Sequence, residues 1–229
     1  MDTQKYINFL NSLKTEENSL MEAIQTGFSL IFEGNNLPEG FSLDTLKSIK
    51  GYAGKIRYVE THLKKIGAGS SRIAYAIDDN TVLKMAKSDR GKSQNELEAD
   101  TSNLYNNICS GVLDEDYQDN LWIISKRVNK LTSPKRFEEL TKIPWDLYTR
   151  ALNYEINGRL KGNKNIKRPE EMEQLYENEF FSSITDMAVN YGMGTGDLTR
   201  INSYADDNGR PVLMDSGLNE QVFNEHYKR

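Results

Sequence analysis

The sequence predicts an α+β protein in which a helical N-terminal segment precedes a small antiparallel sheet and a mainly helical C-terminal region. Apolar residues recur at helical spacing through the first sixty positions, and from about Leu63 the period changes to two. Helical patterns return after residue 128, and two short strand-like runs follow near the end of the chain. We therefore expect a helical segment over 1–62, a sheet-containing lobe over 63–128 and a helical lobe with a late hairpin over 129–229.

The composition excludes several classes of protein. The 229 residues are 37% hydrophobic and 28% charged, which is enough for a real core. No stretch approaches the roughly 20 apolar residues of a membrane helix, and no signal peptide is evident, so we expect a cytoplasmic protein without a membrane partner. The single cysteine, Cys109, excludes an intrachain disulfide framework and, with only two histidines, argues against a zinc site. The excess of acidic residues, 34 against 29 basic ones, argues against a nucleic-acid partner.

Turn residues and proline divide the second part of the chain into definite elements. Asp78-Asp79-Asn80 separates two β-type runs, and Asp206-Asp207-Asn208-Gly209 separates two more. The predicted elements are strands at 72–77 and 81–85, a helix at 93–109, a strand at 121–128, a helix at 180–191, and strands at 201–205 and 211–214.

A glycine-containing turn, Gly67-Ala68-Gly69-Ser70, opens the first hairpin. A dinucleotide-binding or P-loop turn would be followed by a helix, and here a strand follows. Because glycine has no side chain, backbone amides of such a turn can approach the phosphates of a nucleotide closely. An ordinary tight turn is the alternative interpretation.

Lys84 stands at an interior position of the second predicted strand, with apolar neighbours on both sides. It either lays its stem along apolar surface and reaches water, or contacts nucleotide phosphates and pairs with a glutamate of the next helix. Glu96 and Glu98 both lie on that helix, and we favour Glu98. The alternative for each glutamate is a solvated charge on the helix surface.

Three oxygen-bearing side chains flank the last predicted hairpin. Asp197 and Asn202 have the D-x-x-x-x-N spacing in which the aspartate accepts a hydroxyl proton and the asparagine holds Mg²⁺. Asp215 follows the second strand of the hairpin, where a further Mg²⁺-binding aspartate is expected. Each pattern is common alone, but here the elements occur in the right order, each on the expected kind of secondary structure.

Taken together, these residues resemble the protein-kinase-like superfamily. The Gly196-Asp197 pair is similar to the catalytic loop of the aminoglycoside-phosphotransferase branch, and the chain also resembles compact kinase-like proteins of tailed bacteriophages. The resemblance covers roughly residues 63–219 and implies a two-lobed kinase-like fold. It implies the following site: Gly67, Gly69 and Ser70 over the phosphates, Val82 against the adenine, Lys84 paired with Glu98, Asp197 as catalytic base, and Asn202 and Asp215 on magnesium.

Arg72, the Thr195-Gly196 pair and Ser216 depart from the family pattern. Arg72 replaces the third loop glycine, which predicts a stiffer loop. Thr195-Gly196 replaces a histidine-containing pair before the catalytic aspartate, and Ser216 replaces the phenylalanine of D-F-G.

The resemblance implies Mg-ATP-dependent phosphoryl transfer to a hydroxyl, with a Ser/Thr protein as the favoured acceptor. The expected cofactors are ATP and magnesium, and the N-terminal helices are candidates for a partner or dimer contact. If the protein is phage-encoded, its location is the host cytoplasm. Two alternatives stay open: a catalytically weak or inactive nucleotide-binding module, and a small-molecule phosphotransferase.

Overall fold

One apolar core forms around an antiparallel sheet whose middle strand is buried along nearly its whole length. The computed structural model describes residues 37–226, so the helices expected before residue 37 lie outside the described part of the chain. The strands are β1 (Lys64–Ala68), β2 (Arg72–Ala76), β3 (Thr81–Ala86), β4 (Val112–Glu115) and β5 (Trp122–Lys126). Their spatial order is β1-β2-β3-β5-β4, and every neighbouring pair is antiparallel.

Two short helices complete this first core. Helix α1 (Leu43–Ser48) begins after Ser42, whose hydroxyl accepts a hydrogen bond from the Thr45 amide at 3.3 Å. Helix α2 (Tyr52–His62) follows directly. Both bury apolar side chains against the sheet, Leu46 from α1 and Val59 from α2. The helical residues before β1 thus share the core of the sheet.

Helix α3 (Asp89–Leu104) crosses the sheet next to the glycine turn. The prediction of 93–109 was wrong at both ends, because the helix begins four residues earlier and Tyr105 leaves helical geometry with φ −119° and ψ 44°. Gly91 permits close approach to the turn, since a Cβ there would lie 2.3 Å from the Ser71 carbonyl oxygen. The first turn of α3 is therefore packed directly against the residues between β1 and β2.

A second core lies in the helical part of the chain and is rich in aromatic rings. Its first four helices are α4 (Pro134–Thr141), α5 (Trp145–Asn153), α6 (Met172–Tyr176) and α7 (Glu179–Asn190), with a π-helical segment (Tyr154–Leu160) continuing α5. The remaining elements are β6 (Asn129–Lys130), α8 (Thr195–Leu198), a 3₁₀ turn (Ile201–Ser203), β7 (Tyr204–Asp207), β8 (Arg210–Leu213) and α9 (Glu220–His226). Strands β6, β7 and β8 form a small antiparallel sheet in that order.

The late hairpin forms as predicted, but its first strand begins later. Asn208 and Gly209 have φ of 55° and 92°, the backbone conformation of a two-residue hairpin turn. The predicted strand at 201–205 was wrong over its first three residues. They form the 3₁₀ turn instead, which is closed by a 3.0 Å bond from the Ser203 amide to the Arg200 carbonyl.

The α+β class is confirmed, with a sheet lobe followed by a helical lobe that carries a hairpin. Two separate groups of buried apolar residues define the two lobes. Within residues 37–226, no helix has both the length and the apolar character that a bilayer crossing requires.

Tyr204 ties the helical core to the segment that contains Asp197. Its ring is fully buried among Phe137, Tyr148 and their aromatic neighbours. Its hydroxyl donates to the Leu198 carbonyl at 2.8 Å and accepts from the Tyr148 hydroxyl at 2.5 Å. One side chain thus fixes the end of α8 to the hairpin.

We predict that Tyr204→Phe lowers the free energy of unfolding by about 1–3 kcal/mol, because it leaves the buried Tyr148 hydroxyl and Leu198 carbonyl without a partner. Urea denaturation of the purified chain measures this loss. Tyr117→Phe is the control, since Tyr117 is 70% exposed. Equal stability of the two variants would show that the buried hydroxyl does not hold the loop.

Candidate functional site

A cavity of about 1170 Å³ lies between the sheet lobe and the helical lobe. Sequence-predicted residues line it from both sides. From the sheet side these are Gly67, Gly69, Ser70, Val82 and Lys84, and from the helical side Asp197 and Asp215. Glu98 lies behind this wall in contact with Lys84, whereas Asn202 does not line the cavity.

Glu98 is the centre of an ion-pair network at the back of the cavity. Its carboxylate is 1% exposed, and it pairs through Oε1 with Lys84 and through Oε2 with Arg72 Nη1 at 2.7 Å. Arg72 Nη2 reaches Asp215 Oδ1 at 2.6 Å, and Lys84 Nζ also donates to the Met214 carbonyl at 3.0 Å. The lysine partner is therefore Glu98 and not Glu96, which is exposed.

Strand register explains why two cations meet at this point. Lys84 is paired with Ala74 across the hairpin, and Arg72 is paired with Ala86. Residues directly opposite each other share a face, as do residues two apart on one strand, so Arg72 and Lys84 extend from the same face of the sheet. The small side chains of both alanines leave room for the two long basic ones.

Helix periodicity brings Glu98 to the same place. Gln94, Glu98 and Thr101 follow at spacings of four and three residues, so they share one face of α3, and all three are buried. Gln94 bonds the Ser71 hydroxyl next to the glycine turn. Glu96 is two residues from Glu98 and therefore faces another direction.

Helix α3 also holds the Asp215 loop. Ser216 is 3% exposed, and its hydroxyl lies 2.5 Å from the Thr101 hydroxyl. Gly217 passes so close to α3 that a Cβ would lie 2.6 Å from the Gln94 carbonyl oxygen. Ser216 therefore anchors this loop to α3 by a hydrogen bond.

Asp197 lies on α8, near the opposite wall. Arg200 Nη1 donates to Asp197 Oδ1 at 3.0 Å, and Asn157 Nδ2 donates to the Thr195 hydroxyl at 3.3 Å, which links α8 to the π-helical segment. Desolvation, followed by the negative charge of Asp215, raises the pKa of Asp197, and Arg200 opposes this rise. Thr195 thus helps to anchor the segment that carries Asp197.

The two aspartates differ in their electrostatics. Desolvation acts to raise the pKa of Asp215, but the charges of Arg72 and Lys84 outweigh it, and its pKa lies below the usual value. Asp197 is shifted in the opposite direction. Asp215 therefore stays ionised, as a cation ligand must, while Asp197 is the better proton acceptor.

Asn202 lies elsewhere. It belongs to the 3₁₀ turn and is exposed. Its neighbour Ser203 is buried and accepts a 2.8 Å bond from the Met214 amide, which fixes the turn against the strand before Asp215. The D-x-x-x-x-N spacing alone did not predict the exposed position of Asn202, because a 3₁₀ turn rotates successive side chains differently from a strand.

The carboxylate of Asp215 suits a magnesium ion held together with phosphate. Its Oδ1 accepts the bonds from Arg72 and from the Gly217 amide at 3.3 Å, and no bond to its Oδ2 exists among the described residues. The side chain is 59% exposed. Magnesium typically takes one or two carboxylates and completes its shell with phosphate oxygens and water. Within residues 37–226, no group of three or more acidic, histidine or cysteine side chains is arranged to hold a metal.

Sequence reasoning missed two functional candidates, Arg72 and Arg200. Arg72 was interpreted only as a replacement for a loop glycine. The register of the β2–β3 hairpin places Arg72 on the same face of the sheet as Lys84. This register is the signal that could have identified Arg72 as a site residue. Arg200, three residues after Asp197, carried no comparable signal. Cys109 is 1% exposed, and burial raises the pKa of its thiol to about 12, so it offers no nucleophile.

The solved structures similar to this chain include aminoglycoside phosphotransferases. APH(2'')-Ib bound to ADP is 14% identical, with a TM-score of 0.35 over 71% of this chain and 69% of that one. The ternary complex of APH(2'')-IIa with streptomycin and ATP is 16% identical, with a TM-score of 0.36 over 74% and 71%. The GDP complex of aminoglycoside 2'-phosphotransferase-IIIa is 12% identical, with a TM-score of 0.31 over 73% of both chains. No protein-family model matches the chain, and no curated protein matches it. At these TM-scores the likeness carries no weight for function.

We predict that Asp197→Asn raises the midpoint of thermal unfolding at pH 7. A carboxyl whose folded pKa is raised contributes stability below its unfolded pKa and loses it as the pH rises through the folded pKa, so the ionised group is unfavourable at neutral pH. The gain should shrink as the pH falls toward the usual range of aspartate. Calorimetric scans between pH 3 and pH 8, roughly the range over which such a carboxyl titrates, measure it.

Asp206→Asn is the matched control with the opposite sign. The hydrogen bond from Arg136 and the amide of Gly209 lower the pKa of Asp206, so its stabilisation is present at neutral pH and is lost as the pH falls through the folded pKa. Asp206→Asn should therefore lower the midpoint at pH 7. A decrease of similar size for Asp197→Asn would contradict the electrostatic description of the site.

Proposed function

We propose that this protein transfers a phosphoryl group from Mg-ATP to a hydroxyl acceptor. The observation that carries the proposal is the joint position of Lys84, Glu98 and Asp215 at one wall of a large cavity that Asp197 also lines. A buried ion pair at the wall of the cavity, two carboxylates whose pKa values are shifted in opposite directions, and a glycine turn that lines the cavity suit positioning and charge neutralisation, on which phosphoryl transfer depends.

Each residue has a role that its surroundings support. A Cβ added at Gly67 would meet no atom within 4 Å, and one added at Gly69 would meet its nearest atom at 3.8 Å, so neither glycine is required by packing among the described residues. Both leave open space in which backbone amides can approach phosphate. Glu98 holds Lys84 toward that space, and Val82 lies two residues before Lys84 on the same face, where it can contact the adenine.

Asp197 would accept the proton of the attacking hydroxyl. Its side chain is 34% exposed, so an acceptor can reach it, and Arg200 holds one carboxylate oxygen. Its raised pKa favours proton acceptance. Bound magnesium would neutralise charge on the phosphates, and Asp215 is the residue that would hold it.

The acceptor favoured by the sequence is a Ser/Thr side chain of a protein, and one observation favours a small molecule instead. Helix α9 lines the cavity through Phe223, and its first residue, Glu220, is tied to Lys161 by an ion pair and to the Gly192 carbonyl by a 2.9 Å bond. Helix α9 therefore forms part of the wall of the cavity that Asp197 also lines, and a partly walled cavity suits a compact acceptor. Comparison of ATP consumption with metabolite pools and with protein substrates separates the two acceptors.

A second candidate function is a nucleotide-binding module without transfer. It is favoured by two observations: Asn202 is not among the residues that line the cavity, and Arg72 already pairs with Asp215. The resemblance assigns both Asn202 and Asp215 to magnesium. The two functions differ in whether turnover depends on Asp197.

We predict that saturating Mg-ATP stabilises the fold by about 2.7 kcal/mol at 100 times the dissociation constant. Thermal unfolding with ATP, GTP or no nucleotide, each with and without Mg²⁺, measures this. Asp197→Asn should keep the stabilisation and lose transfer, whereas Asp215→Asn should lose the Mg²⁺-dependent part of both.

Asp119→Asn, an exposed carboxylate outside the cavity, is the control and should behave as the wild type. Identical midpoints with and without Mg-ATP would refute the proposal. Binding of Mg-ATP with turnover no faster than that of Asp197→Asn would select the binding module.

A further inference from the structure

Arg72 gives this site a charge balance different from that of a simple lysine–glutamate pair with a free aspartate. The guanidinium is 8% exposed and contacts Glu98 at 2.7 Å and Asp215 at 2.6 Å. It also donates to the Asn95 side chain at 3.3 Å. With Lys84 included, the cluster contains two cations and two carboxylates, so it is formally neutral.

We propose that Arg72 is a positioning residue that makes divalent-cation binding at Asp215 depend on bound nucleotide. A free cation that approaches Asp215 meets a carboxylate already paired with a buried guanidinium. The repulsion between guanidinium and cation acts at short range, because Arg72 Nη2 lies 2.6 Å from Asp215 Oδ1 and the guanidinium itself is buried. The triphosphate of a nucleotide adds several negative charges at the same place, and these outweigh the repulsion from Arg72.

The geometry of the Asp215 carboxylate permits a cation to bind there once nucleotide is bound. Arg72 and the Gly217 amide both bond Oδ1, whereas no described residue bonds Oδ2. A cation can therefore bind Oδ2 without displacing Arg72, provided that its charge is balanced. Arg72 meanwhile keeps Asp215 and Glu98 at a fixed separation, because its fork of donors joins the two carboxylates.

The inference rests on the proposed function only in taking Asp215 as the metal-binding carboxylate. The test is a calorimetric titration of the full chain with Mn²⁺, which shares the oxygen ligands of Mg²⁺, in the absence of nucleotide. Arg72→Met should bind Mn²⁺ about tenfold more tightly than the wild type, since it removes the competing charge. Arg72→Lys, which keeps the charge, should bind Mn²⁺ as weakly as the wild type does.

Three further variants make the result specific. Adding Asp215→Asn to Arg72→Met should abolish the gain. Lys92→Met removes one positive charge elsewhere, on a side chain 38% exposed and paired with Asp89, and should leave Mn²⁺ affinity unchanged. Arg72→Gln also removes the charge but keeps a polar side chain, so it repeats the test with a second neutral replacement.

Affinity for Mn²⁺ in Arg72→Met and Arg72→Gln within twofold of the wild type would overturn the inference. A gain that persists after Asp215→Asn would overturn it as well, because the cation would then bind elsewhere. The stabilisation of the wild type by Mg-ATP tests the proposed function, whereas the Mn²⁺ affinity of the Arg72 variants tests this inference. The two claims can therefore fail separately, because each is tested by its own measurement.

Discussion

The site depends on one buried carboxylate shared by two cations. Glu98 is almost completely inaccessible, and each of its oxygens pairs with a different basic side chain, Lys84 and Arg72. A carboxylate buried this deeply without a charged partner would strongly destabilise the fold. Glu98 therefore needs both basic side chains, and each of them in turn needs the Glu98 carboxylate as its partner. Through Arg72 the network extends to Asp215, and through Lys84 to the backbone of Met214.

This network joins the two lobes. The sheet supplies Arg72 and Lys84, helix α3 supplies Glu98, and the late hairpin supplies Asp215. Hydrogen bonds hold the segments that carry the two aspartates: Ser216, next to Asp215, bonds Thr101 on α3, and Thr195, two residues before Asp197, bonds Asn157 on the π-helical segment.

The sequence predicted the parts of the fold that have a strong local signal. The hairpin around residues 78–80, the interior lysine of its second strand and the late turn at Asn208-Gly209 follow from alternation and turn chemistry. The ends of α3 were not predicted correctly. At its N-terminus, burial of Gly91 against the glycine turn extends the helix. The π-helical segment and strand β4 carry no distinct periodicity, and tertiary packing determines them.

The same distinction holds within the site. Lys84 could be chosen because it lies on a predicted strand, and Asp215 because it directly follows one; Glu98 was favoured among two glutamates. The orientation of Asn202 depends on a 3₁₀ turn that the strand pattern concealed, and the role of Arg72 depends on register across two strands. Strand register and a 3₁₀ turn both arise from hydrogen bonds between backbone segments. The pattern of residue types along the sequence does not specify them.

The most direct test of the central claim compares Glu98→Gln with Glu96→Gln, two glutamates of one helix that differ in burial. Urea denaturation with and without Mg-ATP measures the free energy of unfolding of each variant and its increase on nucleotide binding. Glu98→Gln should lose about 3–5 kcal/mol of stability, the usual result of breaking a buried ion-pair network, and should lose the nucleotide-induced stabilisation. Glu96→Gln should retain both. Equal behaviour of the two variants would contradict the account, because the site would then not depend on the buried carboxylate.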